Sequence, residues 1–440
     1  MAFGGGIFTS QNKKLPGTYI NFVTAAAVRQ EAFARGIAAM GLTLDWGPEG
    51  TVFSVTRDEF YRNARALFGY TADAPELKGV RDLFINAHTL RAYRLNGGGA
   101  KASNSLAEAL YGGKRGNDIS ISVAANADKP GKWDVSTWID GEKMDTQTVA
   151  AAAELKPNAY VRFKEFELAE KAGEKLSGGT DGTASVESHQ KFIDLVQGYS
   201  FNTIGVVSDE TGDGAPEVNA LYAAFAKRMR DEMGVKFQAV LYRHPADHEG
   251  VVNVKNAVND EGESAASLVY WVTGLMAGTK VGQSAMNTVY DGEYSIDAGL
   301  TQAQLEEAME AGEFTMHRVN EDMRVLNDVN SLTTFTEDKG EIFRQNQTIR
   351  VIDAIATEIS SIFGTRYIGK VANNAAGRVS LWSDIVKLMR ELERIGAIEE
   401  FDEGSVSVEQ GEKRGAVVAR LSGLNISGAM EQLYMTVMIQ

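Results

Sequence analysis

Cysteine is absent from the 440 residues. Disulfide staples, thiolate metal sites and a cysteine nucleophile are thereby excluded. Proline is scarce, at 7, against 45 glycines, a balance that suggests many short strands and tight turns. Histidine is scarce too. The five (His88, His189, His244, His248 and His317) are scattered, and no serine elbow of the G-x-S-x-G kind is present. No apolar run approaches the ~20 residues that cross a bilayer, and the first residues lack the basic-then-apolar order of a secretory signal. Membrane insertion is not expected. Basic residues number 44 against 59 acidic, a formal net charge of −15. Such diffuse acidity argues against wrapping nucleic acid directly.

What is present is an ordinary globular balance, 44% apolar and 23% charged. The length exceeds one core, so roughly two to four domains are expected. The two ends are unusual. Termini with nothing to bind are usually polar, yet Tyr19, Ile20, Phe22 and Val23 lie near the front and Leu433, Met435, Val437 and Ile439 at the back. Apolar, strand-forming ends need a sheet edge to pair with, in the same chain or a neighbour. Gly4-Gly5-Gly6 and Pro16-Gly17 are candidate joints in the front segment.

Patterning divides the chain into an N-terminal arm at 1–30, a small α/β unit at 31–96, a β module at 97–185, an α/β region at 186–335 and a last unit at 336–440. In the second, 29–40 reads as helical, Thr56 and Glu59 form a capping-box pattern, and Leu83 to Leu95 reads as strand. Asn96-Gly97-Gly98-Gly99 is a breaker. The β module alternates Ile119, Ile121 and Val123 with serines, and Asp140-Gly141 is a hairpin signal, so a sandwich is expected. Alternating strands and helices at 186–335 predict a mostly parallel sheet, with Thr301 capping a later helix. The last unit holds two long amphipathic helices, 345–363 and 380–395. Strands follow at 406–408, 417–421 and 433–439, the final arm running from about 428 to 440.

No constellation points to chemistry. His244-Pro245-Ala246-Asp247-His248 follows a strand, but proline disfavours the helix on which a His-x-x-x-His pair shares a face, and no third ligand beyond Asp247 is evident. Gly274 to Lys280 has one spacer too few for a P-loop and Val281 where Ser or Thr must hold magnesium, so Gly278 reads as a helix C-cap. No catalytic, cofactor-binding or metal residue is assigned, and no cofactor is expected. On the helix at 380–395, Lys387, Arg390 and Arg394 share one face and Leu381, Ile385, Leu388 and Leu392 another. That is either an ordinary surface helix or a docking helix for an acidic partner.

The opening F-G-G-G-I-F-T-S-Q-N-K-K-L-P-G-T-Y-I-N-F and R-G-I-A-A-M-G-L-T-L-D-W-G-P-E-G at 35–50 are long and specific. They resemble the contractile tail sheath proteins of bacteriophages, phage-like particles and R-type bacteriocins. So do D-H-E-G-V-V-N-V at 247–254, Y-W-V-T-G-L-M-A-G at 270–278, V-Y-D-G-E at 289–293, V-L-N-D-V-N-S-L at 325–332 and R-Q-N-Q-T-I-R at 344–350. The resemblance implies a multidomain α/β protein. Its central domain would be subtilisin-like without the protease's active site, with an inserted β-sandwich, an α+β C-terminal domain facing the tail tube, and strand-forming arms at both ends. It further implies a homo-oligomer of stacked six-membered rings around the tail tube protein, meeting baseplate and tail terminator proteins. Lys387, Arg390 and Arg394 would then face the tube, and the arms would pair with neighbouring subunits. A location in a virion tail or tail-like particle, assembled in the host cytoplasm, follows. The competing reading is a soluble α/β hydrolase-like enzyme with a β insert, which the missing nucleophile disfavours.

Overall fold

A computed structural model describes residues 33–209 and 215–439. The chain opens with strand β1 (Ile37–Leu42), followed by β2 (Phe53–Thr56), helices α1 (Arg57–Phe68) and α2 (Lys78–Asn86), and β3 (Thr89–Arg94). The α1 start is the capping box legible in the sequence. The Thr56 amide donates to the Glu59 carboxylate at 2.9 Å, and the Thr56 hydroxyl accepts from the Glu59 amide at 3.2 Å. Two local readings change. Ile37 to Met40 are strand, not helix, and Leu83 lies inside α2. Alanines gave 37–40 a helical look, but the segment has no polar face and is buried on both sides of a sheet.

Six strands follow in the β module: β4 (Ala107–Ala109), β5 (Ile119–Ala125), β6 (Trp133–Ile139), β7 (Glu142–Val149), β8 (Val161–Phe163) and β9 (Lys171–Lys175). They form a four-stranded sheet, β7-β6-β5-β9, and a β4-β8 pair. Ile119, Ile121, Val123, Val135, Ile139 and Val161 fill the core. Asp140 and Gly141 both take positive φ (54° and 79°), turning β6 into β7. Trp46 reaches into this core, its indole donating to the Ala66 carbonyl and its ring edge-on to Tyr111 at 5.2 Å.

The chain then supplies α3 (Val186–Val196), β10 (Thr203–Gly205), α4 (Ala215–Asp231), β11 (Gln238–Tyr242), β12 (Val251–Val254), α5 (Leu268–Gly278), α6 (Gln302–Glu310), β13 (Glu313–Phe314) and the hairpin β14 (Met316–Val319) and β15 (Asp322–Val325). One seven-stranded sheet runs β13-β12-β11-β10-β1-β3-β2, parallel except for β2 at its edge. Residues 31–96 and 186–335, read separately in the sequence, share this sheet. Ala38, Met40 and Leu42 face α1, α2 and α5, while Ala39 faces α3 and α4. The sheet is therefore covered on both faces. Helix α5 is buried all round. Gly278 is its last residue and not the cap. Cβ atoms at Gly274 and Gly278 would sit 2.2 Å from the carbonyl oxygens of Leu83 and Asn86, so these glycines let α2 press against α5.

Under α3 and α4 the buried His189 ring lies 3.0 Å from the Tyr222 hydroxyl. Burial pushes its pKa from 6.5 to about 4. The folded state therefore keeps His189 neutral, while the unfolded chain takes up a proton below about pH 6.5. Its contribution to stability is lost as pH falls from 6.5 towards 4, up to about 3 kcal/mol. Urea unfolding of wild type and His189→Gln across this window should show a steeper decline for wild type; parallel curves would refute the assignment.

The last unit carries α7 (Asn346–Ile362), α8 (Ala375–Arg394), β16 (Ile398–Glu399), β17 (Val406–Gln410), β18 (Val417–Leu421) and β19 (Asn425–Ile426). The first turns of α7 are buried although polar: Asn346, Gln347, Thr348, Arg350 and Asp353 all lie inside. Arg350 forms an ion pair with Asp328, both about 1% exposed at their side chains. Arg230 of α4 grips both Asp353 oxygens at 2.7 and 2.8 Å. Residues 433–439 form no strand.

Candidate assembly surfaces

The chain leaves its last unit in a defined way. β19 runs antiparallel to β16, with Ile426 opposite Ile398. The Ser427 amide donates to the Ala397 carbonyl at 3.1 Å, and the Ala429 amide to Gln347 Oε1 at 3.2 Å. Beyond Ala429, no hydrogen bond to the body is seen among the described residues. Met430, Leu433, Tyr434, Met435, Val437, Met438 and Ile439 are 69–101% exposed. Leu433, Met435, Val437 and Ile439, singled out from sequence, thus lie together on a strand-forming segment with no strand partner among the described residues. Tyr19, Ile20, Phe22 and Val23 lie outside the described residues.

A matching opening exists on the same unit. β17 and β18 form a two-stranded ribbon, Val406 opposite Leu421, that pairs with no further strand among the described residues. The Trp382 indole of α8 donates to the Val406 carbonyl at 3.0 Å and ties it down. A lone ribbon is marginal in water, and its outer edges offer unpaired N–H and C=O groups. Beside it lies a cavity of about 530 Å³, lined by Phe363, Tyr367, Ile368, Val371 and Leu381 and rimmed by Arg378 and Arg414. Sequence reading missed this opening, because a bare edge shows only once strand order is known.

Helix α8 starts at Asn374, whose side chain accepts from the Gly377 amide at 2.9 Å. Leu381, Ile385, Leu388 and Leu392 are buried, as their spacing predicts. Lys387, Arg390 and Arg394 are exposed on the other side, and each has an acidic neighbour. Lys387 lies 4.0 Å from Asp384, Arg390 pairs with Glu393 (2.8 Å) and Glu403 (3.1 Å), and Arg394 with Glu391 (2.6 Å). The face is mixed in charge, which weakens its pull on a distant acidic partner.

The loop after β11 is a structural knot. Asp247 accepts from the Thr333 amide and hydroxyl and the Thr334 amide, which hold its carboxyl well below the usual range. His248 lies 3.1 Å from Asp231 and 3.6 Å from Glu249, a grouping of metal-ligand type. The Lys339 ammonium sits 3.0 and 3.1 Å from the two Glu249 oxygens and 3.9 Å from Asp231, so it already supplies the cation these carboxylates need. His244 is apart from this group. No helix among the described residues is long and apolar enough to cross a membrane.

Four family models match in succession: Tail sheath protein Gp18 domain III N-terminal region at 35–95, phage tail sheath protein beta-sandwich domain at 96–181, phage tail sheath protein central domain at 182–331, and phage tail sheath C-terminal domain at 338–440. The sheath tail protein of Desulfitobacterium hafniense, known by crystal structure, is 36% identical, with 90% of this chain and 93% of that one covered and a TM-score of 0.77. This chain belongs to the phage tail sheath protein family. Further similarities extend over most of the chain. The phage-like element PBSX protein XkdK of Bacillus subtilis is 33% identical over 386 residues, 81% of each chain. The Listeria innocua sheath tail protein is 28% identical, with 92% and 94% covered and a TM-score of 0.78. The helical sheath of the anti-feeding prophage in its contracted state, 11% identical with a TM-score of 0.55 over 97% and 99% of the chains, shares the fold. A chain of the anti-feeding prophage baseplate, 15% identical with a TM-score of 0.56, shares the fold as well.

Proposed function

We propose that this chain is the repeating subunit of a contractile tail sheath. It polymerises as stacked six-membered rings around an inner tail tube and contracts to drive that tube through a target envelope. The carrying observation is the exposed apolar segment from Met430 to Ile439, which is stable against water only when a neighbour covers it. The bare β17–β18 ribbon is its natural acceptor: a strand added there gains main-chain hydrogen bonds and drops alternate side chains towards the cavity. The arm at 1–30 takes the same part at the other end, through Tyr19, Ile20, Phe22 and Val23. Such head-to-tail contacts are heterologous and propagate into a helix.

In this reading the sandwich at 97–185 decorates a subtilisin-like body built from 31–96 and 186–335, and the unit at 336–440 faces the tube. Baseplate and terminator proteins meet the ends of the stack, in a virion tail or tail-like particle assembled in the host cytoplasm. The driving free energy is stored in a metastable extended lattice, so no nucleotide is required. Electron microscopy of the purified protein tests this. Hollow tubes with six-fold end views are expected; protein that stays monomeric at all concentrations, even with tail tube, would overturn it.

The tube-facing part of α8 has its own test. Replacing Lys387, Arg390 and Arg394 with glutamine removes three cations from this face, while Asp384 keeps its pair with Arg366 at 3.2 Å. Exposed pairs are worth about 0–1 kcal/mol each, so the monomer should stay folded. Sheath assembly on purified tube should fall sharply. Normal tube-templated assembly would remove these residues from the docking surface.

A further inference from the structure

Gln347, in the first turn of α7, spends both ends of its amide on other segments. Its Nε2 donates to the Gly282 carbonyl at 3.0 Å and to the Ser427 carbonyl at 2.9 Å, and its Oε1 accepts from the Ala429 amide at 3.2 Å. Met430, the next residue, is fully exposed. Gln347 is therefore the last grip on the chain before the free C-terminal segment.

The other end is held in the same neighbourhood. The Arg35 guanidinium donates through Nε to the Thr279 carbonyl at 3.0 Å and through Nη2 to the Met276 carbonyl at 2.8 Å. The Met276 carbonyl belongs to the last turn of α5, where carbonyls lack intrahelical donors. Two residues, Lys280 and Val281, separate Thr279 from Gly282, the residue that Gln347 holds. This short bridge is fixed. Arg350, also on α7, donates to the Gln283 carbonyl at 2.8 Å, and Asp328 accepts from the Ala285 amide at 2.8 Å. Gly282 is closed in from the other side. A Cβ there would lie 3.1 to 3.3 Å from Ala397, whose carbonyl accepts from Ser427.

We propose that Arg35 and Gln347 are mooring residues that tie both chain ends to one junction, the bridge at 279–283. A pull entering at one end leaves by the other through this bridge and bypasses the seven-stranded sheet. Without the Arg35 anchor the pull would fall on β1, which begins two residues later in the middle of that sheet. The proposal rests on the reading that the ends join neighbouring subunits, because only then do they bear load.

The absence of cysteine allows handles to be placed cleanly. Ala34→Cys and Met430→Cys in the full chain give two attachment points for optical-tweezers pulling. A first rupture that frees a short length of chain should precede unfolding of the body. Arg35→Gln combined with Gln347→Ala should lose that first event while circular dichroism stays native. Gln347→Glu keeps the bulk and loses the donor, so with Arg35→Gln it should lose the event as well; this variant serves if the alanine form does not fold. Identical first ruptures with and without these substitutions would overturn the mooring. Failure of the lattice reading is seen separately, as tubes that survive removal of the C-terminal segment.

Discussion

A chain cut after Ala429 should stay folded as a monomer and lose its polymers. Among the described residues, no hydrogen bond joins the body to anything beyond Ala429, so removal should shift monomer stability by no more than about 0.5 kcal/mol. The lattice loses far more. Covering seven large apolar side chains, at about 1.5–3 kcal/mol each, offers a gross gain of about 10–20 kcal/mol per contact. Ordering the segment returns most of this, and only the surplus appears as affinity. A surplus of a few kcal/mol, at about 1.4 kcal/mol per decade, is still two or more decades in association constant. The loss recurs at every subunit. Sedimentation and electron microscopy should find monomers at concentrations where wild type forms tubes. Deleting 1–23 should act likewise. Tubes of normal length from either truncation would sink that arm's assignment.

Asp328→Ala should cost about 3–5 kcal/mol of folding stability, because it strands a buried guanidinium. Arg350 is fully buried, and among the described residues Asp328 is its one ion-pair partner. The same substitution orphans the Ala285 amide and Asn346 Nδ2, which donates to Asp328 at 3.1 Å. Arg350→Met with Asp328→Ala removes both charges, and most of the loss should return. That recovery separates a stranded charge from a mere cavity. Chemical unfolding of wild type and the two variants measures it. An Asp328→Ala chain as stable as wild type would show that the pair contributes nothing.

What the sequence disclosed follows from how local each signal is. Thr56 with Glu59, Thr301, and Asp140-Gly141 each carry their whole mechanism within a few residues, and each does in the structure what its spacing predicts. The buried face of α8 was equally plain, since Leu381 to Leu392 repeat at helical spacing. Readings failed where tertiary context decides. Ile37 to Met40 carry alanines and no polar face, and only the sheet around them makes them strand. R-Q-N-Q-T-I-R at 344–350 looks like surface, yet most of it is inside, satisfied by carbonyls and carboxylates from distant segments. Gln347 carried no signal for this reason. The acidic neighbours of Lys387 and Arg394 were in plain view at three residues' distance; reading the basic positions alone hid the mixed face.

The length of the exposed C-terminal segment bears on timing. Fixing ten residues costs about 10–20 kcal/mol of chain entropy, close to what their side chains gain. Two free subunits meeting in solution are thus near break-even, and their union is brief. A subunit arriving at a growing end touches several neighbours at once and orders its segment only once. Growth should therefore show a lag that seeds abolish, and its products should be few and long. Spontaneous aggregation through these same apolar residues is held off by the same near-balance, so the subunit can accumulate before a template appears.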